Sequence, residues 1–246
     1  MNRLTFCIFL LLTTSNIFAQ IGISYGYLNQ SFEEWESYAA TNNFQITDNQ
    51  ALFKEGHNWG LEYWFRLKNK RIEFTPELFF NYQRSQFIGF PVDLTSSTVN
   101  QLDWSSRAYG INFKTQIYWL DLEGDCDCPT FSKSEPFFKR GFYTILAIGA
   151  YQFQNQSSFI TPTTTSVQKH NQFNGKLGAG LGLDLGLSNL ITLSPFVIHE
   201  WHQPLKLVEE IIPLAVGNTW TEGIQANRTG IMYGIKLVLR FDQKRY

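Results

Sequence analysis

The stretch from Thr229 to Phe241 alternates between two kinds of residue, and this pattern restricts the chain to few folds. Residues of one parity are all apolar, namely Ile231, Tyr233, Ile235, Leu237, Leu239 and Phe241. The other parity carries Gly230, Met232, Gly234, Lys236, Val238 and Arg240. A period of two is typical of a β-strand with one apolar face. The apolar face is too long to be left in water, and the charged face does not fit a hydrophobic core. We therefore predict a strand that crosses a membrane, between lipid and a polar lumen.

The end of this strand carries a more specific pattern. The run Gly234-x-x-Leu237-x-Leu239-x-Phe241 resembles the C-terminal signal strand of Gram-negative outer-membrane β-barrels, although Met232 stands where that signal usually has a polar residue. The resemblance implies an all-β fold: a closed, antiparallel, up-and-down transmembrane barrel of the eight-stranded type, in the cell outer membrane. It implies no particular activity.

Seven further segments alternate in a similar way, which brings the number of predicted strands to eight. They are Ile21–Leu28, Asn58–Leu67, Ile72–Tyr82, Ser106–Leu120, Phe142–Phe153, Gly175–Leu187 and Ile191–Trp201. The fifth is the least clean, because both of its faces are largely apolar. Pro76 has no amide proton for a strand ladder, so we expect a bulge or local irregularity in the third strand.

The links between these strands alternate in length. Long links are predicted at about 29–57, 84–105, 154–174 and 202–228, and the links at the other end are short, except for 121–141. Outer-membrane barrels have short periplasmic turns and long extracellular loops. The alternation therefore predicts extracellular long loops and two periplasmic termini. A water-soluble barrel with a ligand cavity is the structural alternative, and it would hold its apolar residues inside.

The first residues read as a secretory signal peptide. Arg3 precedes an apolar run, and Ala19 is a suitable last residue before cleavage, which leaves 20–246 as the barrel domain. A short transmembrane anchor is the alternative, but the apolar run is shorter than the roughly 20 residues that a spanning helix needs.

Composition narrows the class of partner. The chain has 21 acidic and 20 basic residues, which argues against a nucleic-acid binder. Its aromatic content of 16% suits the aromatic girdles of a membrane barrel. The predicted partners are therefore outer-membrane lipid and a protein of the outer membrane or cell surface, and no cofactor is predicted.

The polar parity of the strands predicts a charged lumen. Its members are Glu62, Arg66, Glu73, Glu77, Lys114, Lys176, Asp184, Glu200, Lys236 and Arg240. Side chains just fill an eight-stranded bore, and buried charges must be paired. We therefore expect a salt-bridge network that plugs the barrel. A proton or ion path is the alternative.

Two short strings are candidates for chemistry. In His199-Glu200-Trp201-His202 the two histidines have opposite parity and do not have the spacing of a zinc motif, so we predict no enzyme, with a lipid-modifying enzyme as the alternative. Cys126 and Cys128 are the only cysteines after the signal peptide. In an oxidising compartment they are predicted to form a strained disulfide. A metal site and pairing with another chain are the alternatives.

The last long link is unusually apolar, which points to a binding surface. The candidate residues are Leu205, Leu207, Val208, Ile211 and Ile212. We therefore expect a structural or protein-interaction component that acts through its extracellular loops. A narrow channel and a lipid-modifying enzyme are the alternatives.

Overall fold

The computed structural model describes residues 20–31, 55–66, 72–88, 101–119, 141–160, 165–188, 190–207 and 224–240. The predicted signal peptide, Cys126 and Cys128 lie outside these ranges. The described residues include no helix that is long and apolar enough to span a membrane.

Eight strands form a closed barrel. They are β1 (Gln20–Ser31), β2 (Glu55–Arg66), β3 (Ile72–Ile88), β4 (Gln101–Tyr118), β5 (Gly141–Ile160), β6 (Thr165–Gly186), β7 (Ile191–Leu207) and β8 (Ile224–Arg240). Each strand pairs antiparallel with its neighbours in sequence, and β1 pairs with β8 to close the ring. The predicted eight-stranded, up-and-down architecture is thereby confirmed.

The barrel has its apolar surface on the outside. Leu78, Ile111 and Ile148 are each 60% exposed. Glu62 and Asp184, on the opposite parity, are almost completely buried. This arrangement is the reverse of a water-soluble barrel, so that alternative is wrong. A continuous apolar belt of this kind needs lipid around it, and the fold is that of a transmembrane barrel of the outer-membrane type.

Strands extend beyond their predicted limits at the end opposite the termini. β5 and β6 remain paired as far as Ile160 and Thr165. The predicted long link at 154–174 is therefore wrong, because nearly all of its residues belong to a hairpin. Both faces of this hairpin carry polar residues such as Gln154 and Asn155, so the alternation used for the prediction is missing there.

Prolines mark two irregularities in the ladders. The β2–β3 pairing skips from Glu62↔Glu77 to Phe65↔Phe74, while Pro76 keeps its place opposite Phe113 in the β3–β4 ladder. The irregularity predicted at Pro76 is thus confined to one side and involves no change of register.

A second irregularity corrects a predicted binding site. The register of β7 against β8 shifts between His202 and Leu205, around Pro204. Leu205 is 0% exposed. Leu205 and Leu207 were predicted to lie in a loop, and this placement is wrong, because both residues belong to β7, where Leu205 is fully buried.

Candidate functional site

Charged side chains in the lumen form two clusters, and the first lies towards the end that holds the termini. Lys114 on β4 is its centre, and its Nζ atom lies 2.8 Å from Glu62 Oε1 and 2.8 Å from Glu77 Oε1. Ser24 Oγ and Asn112 Nδ2 donate hydrogen bonds to the two oxygens of Glu77, at 3.1 and 2.5 Å. Every member is buried, so one lysine neutralises two carboxylates that also have neutral donors.

A glycine makes this close approach possible. A Cβ atom at Gly60 on β2 would collide with the carboxylate of Glu77 and the hydroxyl of Ser24. Glycine therefore leaves the space in which the carboxylate lies beside Lys114.

The same cluster, called here the termini-side cluster, continues with two acids around one tyrosine. The Tyr118 hydroxyl lies 3.1 Å from Glu73 Oε2 and 3.0 Å from Asp184 Oδ2. Ser194 Oγ donates to the other oxygen of Asp184, at 2.5 Å. A hydroxyl has one proton, so Tyr118 can donate a hydrogen bond to only one of the two carboxylates at a time. Both carboxylates therefore need other donors as well.

Lys236 on β8 completes the termini-side cluster in a different way. Its Nζ atom lies 4.7 Å from the centre of the Trp64 ring and 5.1 Å from that of Tyr143. Within the described part of the chain, the contacts of this buried ammonium are therefore with aromatic faces, which attract a cation through their negative quadrupole.

The second cluster, called here the distal cluster, lies towards the end of the barrel opposite the termini. Lys176 Nζ lies 2.7 Å from Glu200 Oε1, and the ring of Phe79 lies 4.1 Å from the same nitrogen. His202 Nε2 lies 3.5 Å from Glu200 Oε2, while its Nδ1 atom shares a 2.9 Å hydrogen bond with the Tyr151 hydroxyl.

Arg228 extends the distal cluster across the barrel to β1 and β3. Its Nε donates to Gln30 Oε1 at 2.8 Å, and Gln83 Nε2 donates to the same oxygen at 2.8 Å. Tyr151, Lys176, Glu200, His202 and Arg228 help to line a cavity that is only about large enough for a single water molecule. The distal cluster is therefore packed rather than open.

Apolar side chains stand between the two clusters on β1, β7 and β8. On β8, Met232 stands midway between Lys236 and Arg228, and it pairs with Leu28 on one side and Ile198 on the other. All three apolar side chains are buried in one hydrophobic cluster. The polar groups of the lumen therefore do not form a continuous row along β8.

The predicted lumen residues occupy the following positions. Glu62, Glu73, Glu77, Lys114, Lys176, Asp184, Glu200 and Lys236 are buried on the inner face. Arg66 and Arg240 are the last residues of β2 and β8, and their side chains lie outside the described part of the structure.

Sequence reasoning missed the inward tyrosines and the full extent of the distal cluster. Tyr143 and Tyr151 belong to β5, whose two apolar faces concealed its orientation. His202 and Arg228 had been assigned to a loop. If the alternation of β7 and β8 is continued past the membrane boundary, His202 and Arg228 both fall on the inward-facing parity.

The two histidines of the candidate catalytic string lie on opposite sides of the wall, as their parity predicted. His199 packs against Trp201 on the outside, with ring centres 4.4 Å apart, whereas the His202 side chain is 3% exposed. Among the described residues, no group of three or more His, Cys, Asp or Glu side chains is placed to hold a metal. Val208, Ile211, Ile212 and the two predicted disulfide cysteines lie outside the described ranges.

Comparison with known proteins finds similar folds only. No protein-family model and no curated protein matches the chain. Ail, the attachment invasion locus protein of Yersinia pestis, solved with the heparin analogue sucrose octasulfate, is 12% identical, with a TM-score of 0.43 over 89% of this chain and 98% of that one. Neisserial surface protein A is 11% identical, with a TM-score of 0.37 over 91% and 97%. The Escherichia coli outer membrane protease OmpT is 7% identical, with a TM-score of 0.43 over 93% and 98%. Similarity at this level indicates nothing about activity.

Proposed function

We propose that the protein is an outer-membrane barrel with a closed lumen, and that it acts as a structural or protein-interaction component through its extracellular side. The observation that carries the closed lumen is the packing of its interior. Lys114, Glu77 and Glu200 are held in ion pairs at 2.7–2.8 Å inside a narrow bore, with apolar side chains between the two clusters. Side chains fill an eight-stranded bore of this size and leave little room for water.

The proposed orientation places both termini in the periplasm. The links at 32–54, 89–100 and 208–223 then emerge at the cell surface, because all three leave the barrel at the end opposite the termini. Val208, Ile211 and Ile212 are what remains of the predicted partner-binding segment once Leu205 and Leu207 are assigned to β7. The partner is a protein of the outer membrane or cell surface, and the apolar belt is in contact with outer-membrane lipid.

The two alternative functions have less support. An ion channel needs a continuous polar path, and Leu28, Ile198 and Met232 interrupt such a path along β1, β7 and β8. A lipid-modifying enzyme needs an acid, a base and a nucleophile that converge, whereas His199 and His202 lie on opposite sides of the wall.

Planar-bilayer recordings test the closed lumen. The purified protein should show no steady conductance, and a large porin in the same bilayer is the positive control. Steady, voltage-independent conductance from the intact protein would contradict the proposal and favour the channel.

Copurification from mild detergent tests the interaction role. Deletion of residues 208–214 should leave a folded, heat-modifiable barrel, because it removes no described strand residue. Recovery of any copurifying protein should fall. Deletion of residues 44–50, a more polar segment of equal length in the first link, is the matched control. Equal recovery from both variants would contradict a role for the apolar segment.

A further inference from the structure

Just beyond the apolar belt, at the end opposite the termini, outward-facing basic and amide side chains collect on β3–β6. Two rows of paired residues carry them. Tyr82, Arg107, Gln154 and Asn171 form the first row, and Arg84, Ser105, Gln156 and Lys169 form the second. We call Arg84, Arg107, Gln154, Gln156, Lys169 and Asn171 the basic patch.

The charge of the basic patch is confined to one side of the barrel. Three bases stand on this face with one acid, Asp103, whose carboxylate lies 3.5 Å from Arg84 Nη2. Arg84 is still 60% exposed, so the pairing leaves its guanidinium accessible. On the other four strands, the described outward side chains beyond the belt include no lysine or arginine; they are Asn29, Ser31, Glu55, His57, Gln203, Asn227 and Thr229.

The depth of the basic patch follows from the strand geometry. The row of outward residues on its membrane side contains the exposed aromatic residues Phe80, Tyr109 and Phe173, and such residues mark the membrane–water boundary. Successive outward residues are about 7 Å apart along a strand, and barrel strands tilt by about 40°. On β3, β4 and β6, the residues of the two rows therefore lie about 5 and 10 Å beyond the aromatic residue of the same strand, at the depth of lipid headgroups.

We propose that the basic patch binds the phosphate groups of lipids in the outer leaflet. A guanidinium presents paired N–H donors that match two phosphate oxygens, and Lys169 adds a point charge. The amides of Gln156 and Asn171 offer further donors to headgroup oxygens, beside Gln154, whose Nε2 atom also donates to Tyr109 OH at 3.1 Å. The outer leaflet is assigned on the proposed function, which places this end of the barrel outside.

Binding to two forms of one lipid tests the phosphate chemistry. The mature protein in phosphatidylcholine-containing micelles is titrated with lipid A that carries two phosphates and with lipid A that carries one. The intact protein should prefer the diphosphorylated form, and 0.5 M salt should reduce this preference. A base near a membrane surface contributes about 1 kcal/mol, or roughly a fivefold change in affinity. The variant R84Q/R107Q/K169Q should therefore bind the diphosphorylated lipid more than tenfold more weakly.

Two isosteric substitutions provide a matched pair that is independent of the triple variant. Asn171→Asp adds a negative charge inside the basic patch, and Asn29→Asp adds the same charge to an exposed position on β1. Heat modifiability on a gel confirms folding of each variant. If Asn171→Asp weakens binding of the diphosphorylated lipid and Asn29→Asp does not, the result supports lipid-phosphate binding by the basic patch. Equal effects of the two substitutions, or no preference of the intact protein for the second phosphate, would overturn it.

The leaflet is tested separately from the chemistry. A Lys169→Cys variant on intact cells should react with a membrane-impermeant maleimide. If it does not react, the proposed orientation and the outer-leaflet assignment are overturned, whereas the phosphate preference in micelles is unaffected by the result. Failure of the orientation and failure of the basic patch are therefore distinguishable.

Discussion

Replacement of Lys114 by methionine is expected to lower the free energy of unfolding by about 3–5 kcal/mol. Lys114 Nζ lies 2.8 Å from carboxylate oxygens of both Glu62 and Glu77, whose side chains are 1% and 0% exposed. Methionine has a similar length but no charge. The substitution therefore leaves two carboxylates buried next to each other without their counter-ion, and Ser24 and Asn112 replace only part of the lost stabilisation.

The matched control is the same substitution at Lys236. This lysine is also buried on the inner face, but its ammonium contacts the rings of Trp64 and Tyr143. A cation–π contact is worth up to about 2 kcal/mol when it is desolvated, and removal of the charge also removes the cost of burying it. Lys236→Met also removes a positive charge near Glu62 and Asp184 but, among the described residues, no ion pair at hydrogen-bonding distance, so we expect it to lower the free energy of unfolding by less than Lys114→Met does.

Guanidinium unfolding in phospholipid vesicles, followed by tryptophan fluorescence, measures both changes. The variant K114M/E62Q/E77Q should regain most of the lost stability. Glutamine replaces both acids in this variant, so no buried negative charge is left without a counter-ion when the lysine is absent. The reasoning is refuted if Lys114→Met lowers the free energy by less than about 1 kcal/mol, or by no more than Lys236→Met does.

The other predictions concern the lipid face and the cysteines. Arginine at Leu237 or Leu181, both exposed on the apolar belt, should each cost about 2–4 kcal/mol of folding free energy in vesicles, and Lys236→Gln should cost less; equal tolerance at all three positions would mean that the faces are wrongly assigned. Cys126 and Cys128 of protein prepared under oxidising conditions should not react with a thiol reagent, and mass spectrometry should show the loss of two protons from their peptide. Free thiols that become protected only on addition of zinc would contradict the disulfide.

Alternation predicted the membrane part of the fold well, because lipid imposes a strict rule there. Most outward residues within the bilayer are apolar, so strands such as β6 and β8 carry a clear period of two. Their predicted faces agree with the structure, in which Leu181 and Leu237 are exposed while Asp184 and Lys236 are buried.

The same rule explains the failures at the distal end. Beyond the hydrocarbon core the outward face contacts lipid headgroups and water, so polar residues occur on both sides of β5 and β6 and the period is lost. The hydrogen-bonded pairs from Gln154↔Asn171 to Ile160↔Thr165 continue the sheet without any hydrophobic pattern. The placement of Leu205 in a loop has a related cause. The change of register near Pro204 lies in the backbone pairing and leaves no pattern in the sequence, so an apolar residue beyond the membrane is predicted to belong to a loop.

The contacts within the candidate site were less predictable than the faces of its strands. Parity places Lys114, Glu62 and Glu77 on the inner wall, but it does not show how far strands slide past one another. Lys114 on β4 reaches across β3 to Glu62 on β2, and that contact depends on the tilt of the barrel. The contact partner of each charged residue therefore depends on the register between strands, which the sequence pattern does not contain.

The distribution of charge along the lumen also explains the positions of two residues at its edge. Among the described side chains, the termini-side cluster has four acids, Glu62, Glu73, Glu77 and Asp184, and two lysines, Lys114 and Lys236. The distal cluster has the opposite imbalance, with Lys176 and Arg228 against Glu200. Excess buried charge is costly unless opposite charge lies nearby. Arg66 and Arg240 are the last residues of β2 and β8 at the termini-side end, and Arg66 pairs in register with Glu73. The two arginines equal in number the excess of acids at that end, so the strand positions of Arg66 and Arg240 suit the charge of the termini-side cluster.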